Sequence, residues 1–213
     1  PLLEAFSEKI GKLKHPKRML WLTDTFEDNN GVSMVLKSFH QEIKRQNMPV
    51  DFLVCSSTLE SDDNLIVVKP LLEFDLPMYK QQKIRVPRWI DIQKIFLDGE
   101  YDRLICSTEG PMGLVAIFLK NAFCVPASFY IHTDWMVFSR KVLKADSDNQ
   151  SRIRRFLRAF YQNFDQLFVL NSDHHNWLTD NEMGFKPEHV KITAHWADDR
   201  FVPTKSNRKI LFD

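Results

Sequence analysis

Residues 18–24 read RMLWLTD, an apolar run that stops on a carboxylate, and the same figure of apolar run followed by polar residues recurs down the chain. A strand covered on both faces reads as such a continuous run, so RMLWLTD predicts a buried parallel strand. FEDNNG then predicts a turn, and Ser33 opens a helical pattern (Val35, Leu36, Phe39, Ile43) that closes near Asn47. VDFLVCS at 50–56 and LIVV at 65–68 predict two further strands, and strand, helix, strand in that order predicts a right-handed crossover and a parallel sheet. Pro70, Pro77 and Pro87 stand among aromatics in 69–90, which predicts an extended surface connection before a helix near Ile90 to Leu97.

The alternation then resumes. DRLICS at 102–107 predicts a strand, EGPMG a turn, LVAIFLKNA a buried helix and ASFYIH at 127–132 the next strand. A basic helix over 152–164, a strand at 166–172 (QLFVLNS), a helix near His174 to Thr179 and a short strand at 189–193 (HVKIT) complete the series. The fold class expected is α/β, a doubly wound and mostly parallel Rossmann-like sheet. An amphipathic lead (LLEAFSEKIGKL) predicts a helix within 1–16, ahead of a main domain over 17–205. KILFD at 209–213 reads as a new strand, so 206–213 is expected to begin a further domain of a longer protein.

Sheets of this kind hold ligands beyond the carboxyl ends of their strands. Asp24, Asn30-Gly31, Thr108-Glu109-Gly110, His132-Thr133-Asp134 and Asn171-Ser172 all fall at or just after predicted strand ends. They converge on one rim, which is the candidate site.

Composition changes this picture little. With 213 residues and 44% hydrophobic content the chain can fill a sizeable core, and 29 basic against 28 acidic residues leave a formal charge of +1, no global field for nucleic acid. Cys55, Cys106 and Cys124 are widely spaced and sit in or beside apolar runs, without zinc-ligand spacing, as reduced thiols do. No apolar run approaches the roughly 20 residues that span a bilayer, and no signal peptide is visible. A cytoplasmic protein is expected. From Arg140 to Arg158 seven basic residues face only Asp146 and Asp148, while Ile153, Leu157, Phe160 and Phe164 form a stripe. Two readings stay open there: a solvated helix packed on the sheet, or peripheral contact with an anionic membrane.

NNGVS leads into a helix amino terminus, where free N–H groups favour an anion, though a plain turn capped near Ser33 explains the same residues. No Gly-x-Gly-x-x-Gly, P-loop or Gly-x-Ser-x-Gly occurs, which disfavours the usual dinucleotide fold, a P-loop ATPase and a serine hydrolase. Glu109 can orient a polyol hydroxyl or merely stabilise a helix terminus. His132 can polarise a substrate group or be satisfied by backbone. The other histidines lack companions at ligand spacing, so no metal is expected.

Taken together, WLTDTFEDNNGVSMVLKSF, YDRLICSTEGPMGL, FCVPASFYIHTDW, FDQLFVLNSD and WADDRFVP resemble, in order and spacing, the amino-terminal half of glycosyltransferase family 4, the retaining enzymes of GT-B fold. The resemblance implies an acceptor-binding domain facing a second domain that binds a nucleotide-diphosphate sugar. It implies Asn30, Gly31 and Ser172 near the donor diphosphate, His132 beside the donor sugar, and Thr108, Glu109, Gly110, Thr133 and Asp134 along the acceptor side. It further implies a hexosyl transfer to a lipid or glycan hydroxyl, no cofactor beyond the donor substrate, and a front-face displacement without a protein nucleophile. Trp196-Ala197-Asp198 departs from the family's usual Gly-Val-Asp, and the family's spaced glutamate pair in the donor domain is absent from 1–213, so this span by itself is expected to be inactive. The rival expectation is a non-catalytic α/β module that binds a carbohydrate or a protein.

Overall fold

The computed structural model describes residues 18–76 and 79–193, and for 79–82 the backbone only. The lead helix, the segment from Trp196 to Pro203 and KILFD lie outside the described residues.

Seven described strands form one parallel sheet in the spatial order β3-β2-β1-β6-β7-β8-β9. They are β1 (Met19–Thr23), β2 (Val50–Cys55), β3 (Leu65–Val68), β6 (Arg103–Cys106), β7 (Ala127–Tyr130), β8 (Gln166–Val169) and β9 (Val190–Ile192). The intervening β4 (Pro70–Leu76) and β5 (Tyr79–Pro87) stand apart as a hairpin. Leu20 of β1 pairs with Asp51 on one side and Leu104 on the other. The chain therefore runs outward from β1 to β3, then returns to the opposite side of β1 with β6. Connections leave these two central neighbours toward opposite faces, which opens a crevice between their carboxyl ends.

Successive side chains of a strand point to opposite faces, and the core divides accordingly. Leu20, Leu22, Leu53, Leu104, Cys106, Phe129 and Leu167 pack on one face. They lie under α2 (Trp89–Asp98), α3 (Pro111–Phe123) and α5 (Ser147–Tyr161), and α6 (Ser172–Thr179) adds Leu178. Trp21, Phe52, Val54 and Tyr130 face the other way, against Leu36 and Ile43 of α1 (Gly31–Gln46). Trp21 and Phe52 stack with centroids 4.9 Å apart.

Three details depart from the sequence expectation. Residues 70–87 are not a plain extended connection but an antiparallel hairpin, in which Pro70 pairs with Pro87. Those two prolines bracket the ladder at its open end, where a missing donor interrupts nothing. A short helix, α4 (Trp135–Lys141), follows β7, started by Asp134 Oδ1 accepting from the Val137 amide at 2.8 Å. The basic helix begins at Ser147 rather than 152, because Asp146 Oδ1 caps it through the Asn149 amide at 2.8 Å.

Helix α3 lies close against the sheet because Gly113 lets it. A Cβ there would meet the Thr108 carbonyl and stand 2.7 Å from the Phe160 ring. Gly113→Ala is expected to destabilise the fold by about 1–3 kcal/mol, the usual cost of overpacking, read as a lowered urea midpoint; an unchanged midpoint would mean the helix can move outward freely.

Candidate functional site

The crevice between β1 and β6 is organised by a carboxylate. Asp24, buried just after β1, accepts from Thr108 Oγ1 at 2.9 Å and from the Met112 amide at 3.2 Å. Thr108 Oγ1 in turn accepts from the Gly110 amide at 3.2 Å. The segment leaving β6 is thus wrapped around Asp24 into the first turn of α3, with Pro111 at a position that needs no N–H. Gly110 has no room for a side chain, since a Cβ would lie 3.2 Å from Asp24 Cγ and closer still to its oxygen. Burial pushes the Asp24 carboxyl from 3.8 up to about 7; the bonds from Thr108 and Met112 and the positive charge of Arg85 pull the other way, and Asp28 adds to the rise.

Arg85 comes from the hairpin and is itself buried. It pairs with Glu27 and, at 3.1 Å, with Glu73. Glu27 accepts from Ser56 and from Thr58, the latter at 2.8 Å, while Glu73 takes Lys83 at 2.6 Å and Ser57 at 2.8 Å. Burial lowers the Arg85 pKa, and the Asp24 charge opposes that. The Arg85–Glu27 ion pair and the bond from Ser57 to Glu73 tie the hairpin to the loops after β1 and β2, whereas the Arg85–Glu73 and Lys83–Glu73 pairs join its own two strands.

Asn30 caps α1, its Oδ1 accepting from the Ser33 amide at 2.9 Å. Ser107, the first residue past β6, accepts from the Trp21 indole at 3.0 Å. Glu109 accepts from the Tyr161 hydroxyl at 2.7 Å; burial raises its pKa, and Tyr161 and the Trp135 indole partly offset the rise. His132 stands at the end of β7 with its ring 4.1 Å from that of Tyr130.

A cavity of about 540 Å³ fills the crevice. Asn30, Thr108, Glu109, Gly110, His132 and Thr133, all candidates from the sequence, line it together with Asp24. Gly31, Asp134 and Ser172 are not on its wall. Gly31 opens α1 at the surface with nothing within 4 Å of its Cβ position. Asp134 caps α4 and lies 3.5 Å from His174 Nε2. Ser172 is exposed at the start of α6.

Sequence reasoning placed Asp24 on the rim without giving it a task, and it missed Arg85 and Tyr161. Asp24 carried a signal, the carboxylate ending a core strand. Arg85 carried none, because an arginine between Ile84 and Val86 reads as the outward position of any edge strand. The other face of the cavity is apolar, from Leu76 and Ile84 of the hairpin to Phe138, Leu143, Ile153 and Phe156 around α4 and α5. A second cavity, of about 500 Å³, lies at the amino ends of β8 and β9 beside Lys120, Asp165 and His189, and holds none of the candidates. Among the described residues no group of three His, Cys, Asp or Glu could hold a metal ion. No helix among them is long and apolar enough to cross a membrane.

Over residues 29–200 the chain matches the family model of Glycosyltransferase Family 4. No curated protein matches it.

The raised Asp24 pKa has a sign that can be tested. An acid that binds its proton more tightly in the folded than in the unfolded state makes stability fall as pH rises, here between about 4 and 7. The thermal midpoint of the wild type is therefore expected to drop relative to that of Asp24→Asn as pH goes from 5 to 8. A pH-independent difference would mean that the carboxylate is ionised throughout that range.

Proposed function

Because the chain belongs to glycosyltransferase family 4, we propose that it moves a hexosyl group from a nucleotide-diphosphate sugar to a hydroxyl of a lipid or glycan, with retention of anomeric configuration. The observation that carries this is the cavity at the β1/β6 crevice, where one wall gathers Asn30, Thr108, Glu109, Gly110, His132 and Thr133 from three separate strand ends. On this reading residues 17–205 receive the acceptor and a further domain brings the donor, so that 1–213 by itself turns over no sugar. On this reading the protein works in the cytoplasm, and peripheral contact with a membrane through the stretch from Arg140 to Arg158 stands as the alternative to a solvated helix packed on the sheet.

The roles follow from what each group has left to offer. The side chains of Asn30 and Thr108 are engaged by their own backbone and by Asp24, so they act by holding loops in shape. What α1 presents to a diphosphate is the Gly31 and Val32 N–H groups of its first turn, the Ser33 amide being taken by Asn30. Negative charge grows on the leaving diphosphate in the transition state, and donors already fixed in place stabilise it without reorganising. Gly31 leaves that approach open. His132 faces the donor sugar and its phosphate, Thr133 and Glu109 meet the acceptor, and Asp134 and Ser172 support the rim from outside the cavity. The nucleotide sugar is a substrate, and no further cofactor enters this reading.

In the full-length protein His132→Ala is expected to keep its thermal midpoint and to lose turnover by about a hundredfold, at the low end of what a positioned acid or base contributes. Turnover at the wild-type level would remove His132 from the chemistry. Gly31→Ala should also fold normally, since its Cβ meets nothing within 4 Å. A loss of donor affinity in that variant would therefore report a ligand against the first turn of α1, and an unchanged affinity would move the diphosphate elsewhere.

A further inference from the structure

Helix α5 carries one large apolar residue, Phe156, that the core does not explain. Leu157, Phe160 and Tyr161 are buried against the sheet. Ile153 and Leu157, which pack on that core, also border the cavity, whereas Phe156 lies off the core-facing stripe, lines the cavity and remains 52% exposed. A helix needed only to roof the sheet would carry a polar residue at 156. Phe138 and Leu143, together with Leu76 and Ile84 of the hairpin, line the same cavity, with Lys83 among them. The result is a mainly apolar channel lining that adjoins the polar residues of the same cavity.

Lys83 is a cation of that lining, and the two helices that contribute Phe138 and Phe156 to it are basic on their exposed sides. Arg140 and Lys141 on α4 and Arg152 and Arg155 on α5 are exposed, whereas Arg154 turns aside to Glu182. Of the two acids in this stretch, Asp146 is occupied with capping α5. A purely sugar-like acceptor would leave the apolar wall wet and the cations unused, since polyols are held by convergent polar groups. An amphiphile fits both: hydrocarbon on the wall and an anionic group within reach of those basic residues.

On the transferase reading above, we infer that the acceptor is an anionic amphiphile whose hydrocarbon chain lies along the channel between α4–α5 and the β4–β5 hairpin, with its hydroxyl-bearing head on the Glu109 and Thr133 floor. Phe156 and Leu143 are the residues that select for the chain.

Isothermal titration of the full-length protein with butyl phosphate and with dodecyl phosphate, kept below its micellar concentration, tests this. The wild type should bind dodecyl phosphate at least tenfold more tightly than butyl phosphate. Phe156→Asp and Leu143→Asn should each reduce that preference at least fivefold, while Leu97→Asp, on the distant exposed face of α2, should leave it intact. Equal affinities for the two phosphates, or a preference that survives both channel variants, overturns the inference. Parallel assays of nucleotide-sugar consumption separate it from the reading on which it rests. Sugar transfer to water-soluble acceptors without any chain preference removes the channel and keeps the transferase. A chain preference that responds to the variants in a protein that consumes no nucleotide sugar keeps the binding channel and removes the transferase.

Discussion

The rim of this protein hangs on the contact between Asp24 and the first turn of α3. At the crevice where the winding of the sheet reverses, the loops after β1 and β6 part just beyond the bond from the Ser107 amide to the Leu22 carbonyl. From there a buried carboxylate joins them, taking the Thr108 hydroxyl and the Met112 amide at once. Its demands explain the small residues around it. Gly110 must lack a side chain to pass over the carboxylate, and Gly113 must lack one to seat α3 on Thr108 and Phe160. The path of these two loops thus depends on one buried acid, whose desolvation pushes its pKa up to about 7.

That arrangement divides the polar residues of the rim into two groups. Asn30, Ser107 and Thr108 on the cavity wall, and Asp134 outside it, spend their side chains on backbone or buried neighbours and keep the loops in place. His132, Thr133 and Glu109 also stand on the wall, Glu109 held there by the Tyr161 hydroxyl. Such a division is what a preorganised site requires, because groups that face a ligand hold position only if their supports do. The hairpin adds a third component. Arg85 anchors it through Glu27, and the anchored strands carry Leu76 and Ile84 to the lining of the same cavity.

The sheet was legible because its strands are short apolar runs ending in polar residues, a pattern that burial on both faces imposes and that few alternatives share. The rim was legible for the same reason, and six of the nine candidate residues do meet at one cavity. The hairpin was not. Its prolines read as breakers, and only three-dimensional pairing shows that Pro70 and Pro87 close the ladder instead of interrupting it. Helix α4 was missed because seven residues are too few to display a period, and its one cue, Asp134, had already been taken for a ligand contact. The apolar channel was hidden by Phe156, which falls off the core-facing stripe and looks like a stray residue until α4 and the hairpin are placed beside it.

The central claim is that ligands meet the protein at the β1/β6 crevice. Hydrogen exchange of the full-length protein, measured with and without a nucleotide sugar and an amphiphilic acceptor, tests it most directly. The account predicts new protection in three separate stretches, 24–33, 107–113 and 131–136, with none around the opposite cavity near Lys120 and His189. Protection confined to the opposite cavity, or sugar transfer that proceeds with those three stretches unchanged, would contradict it.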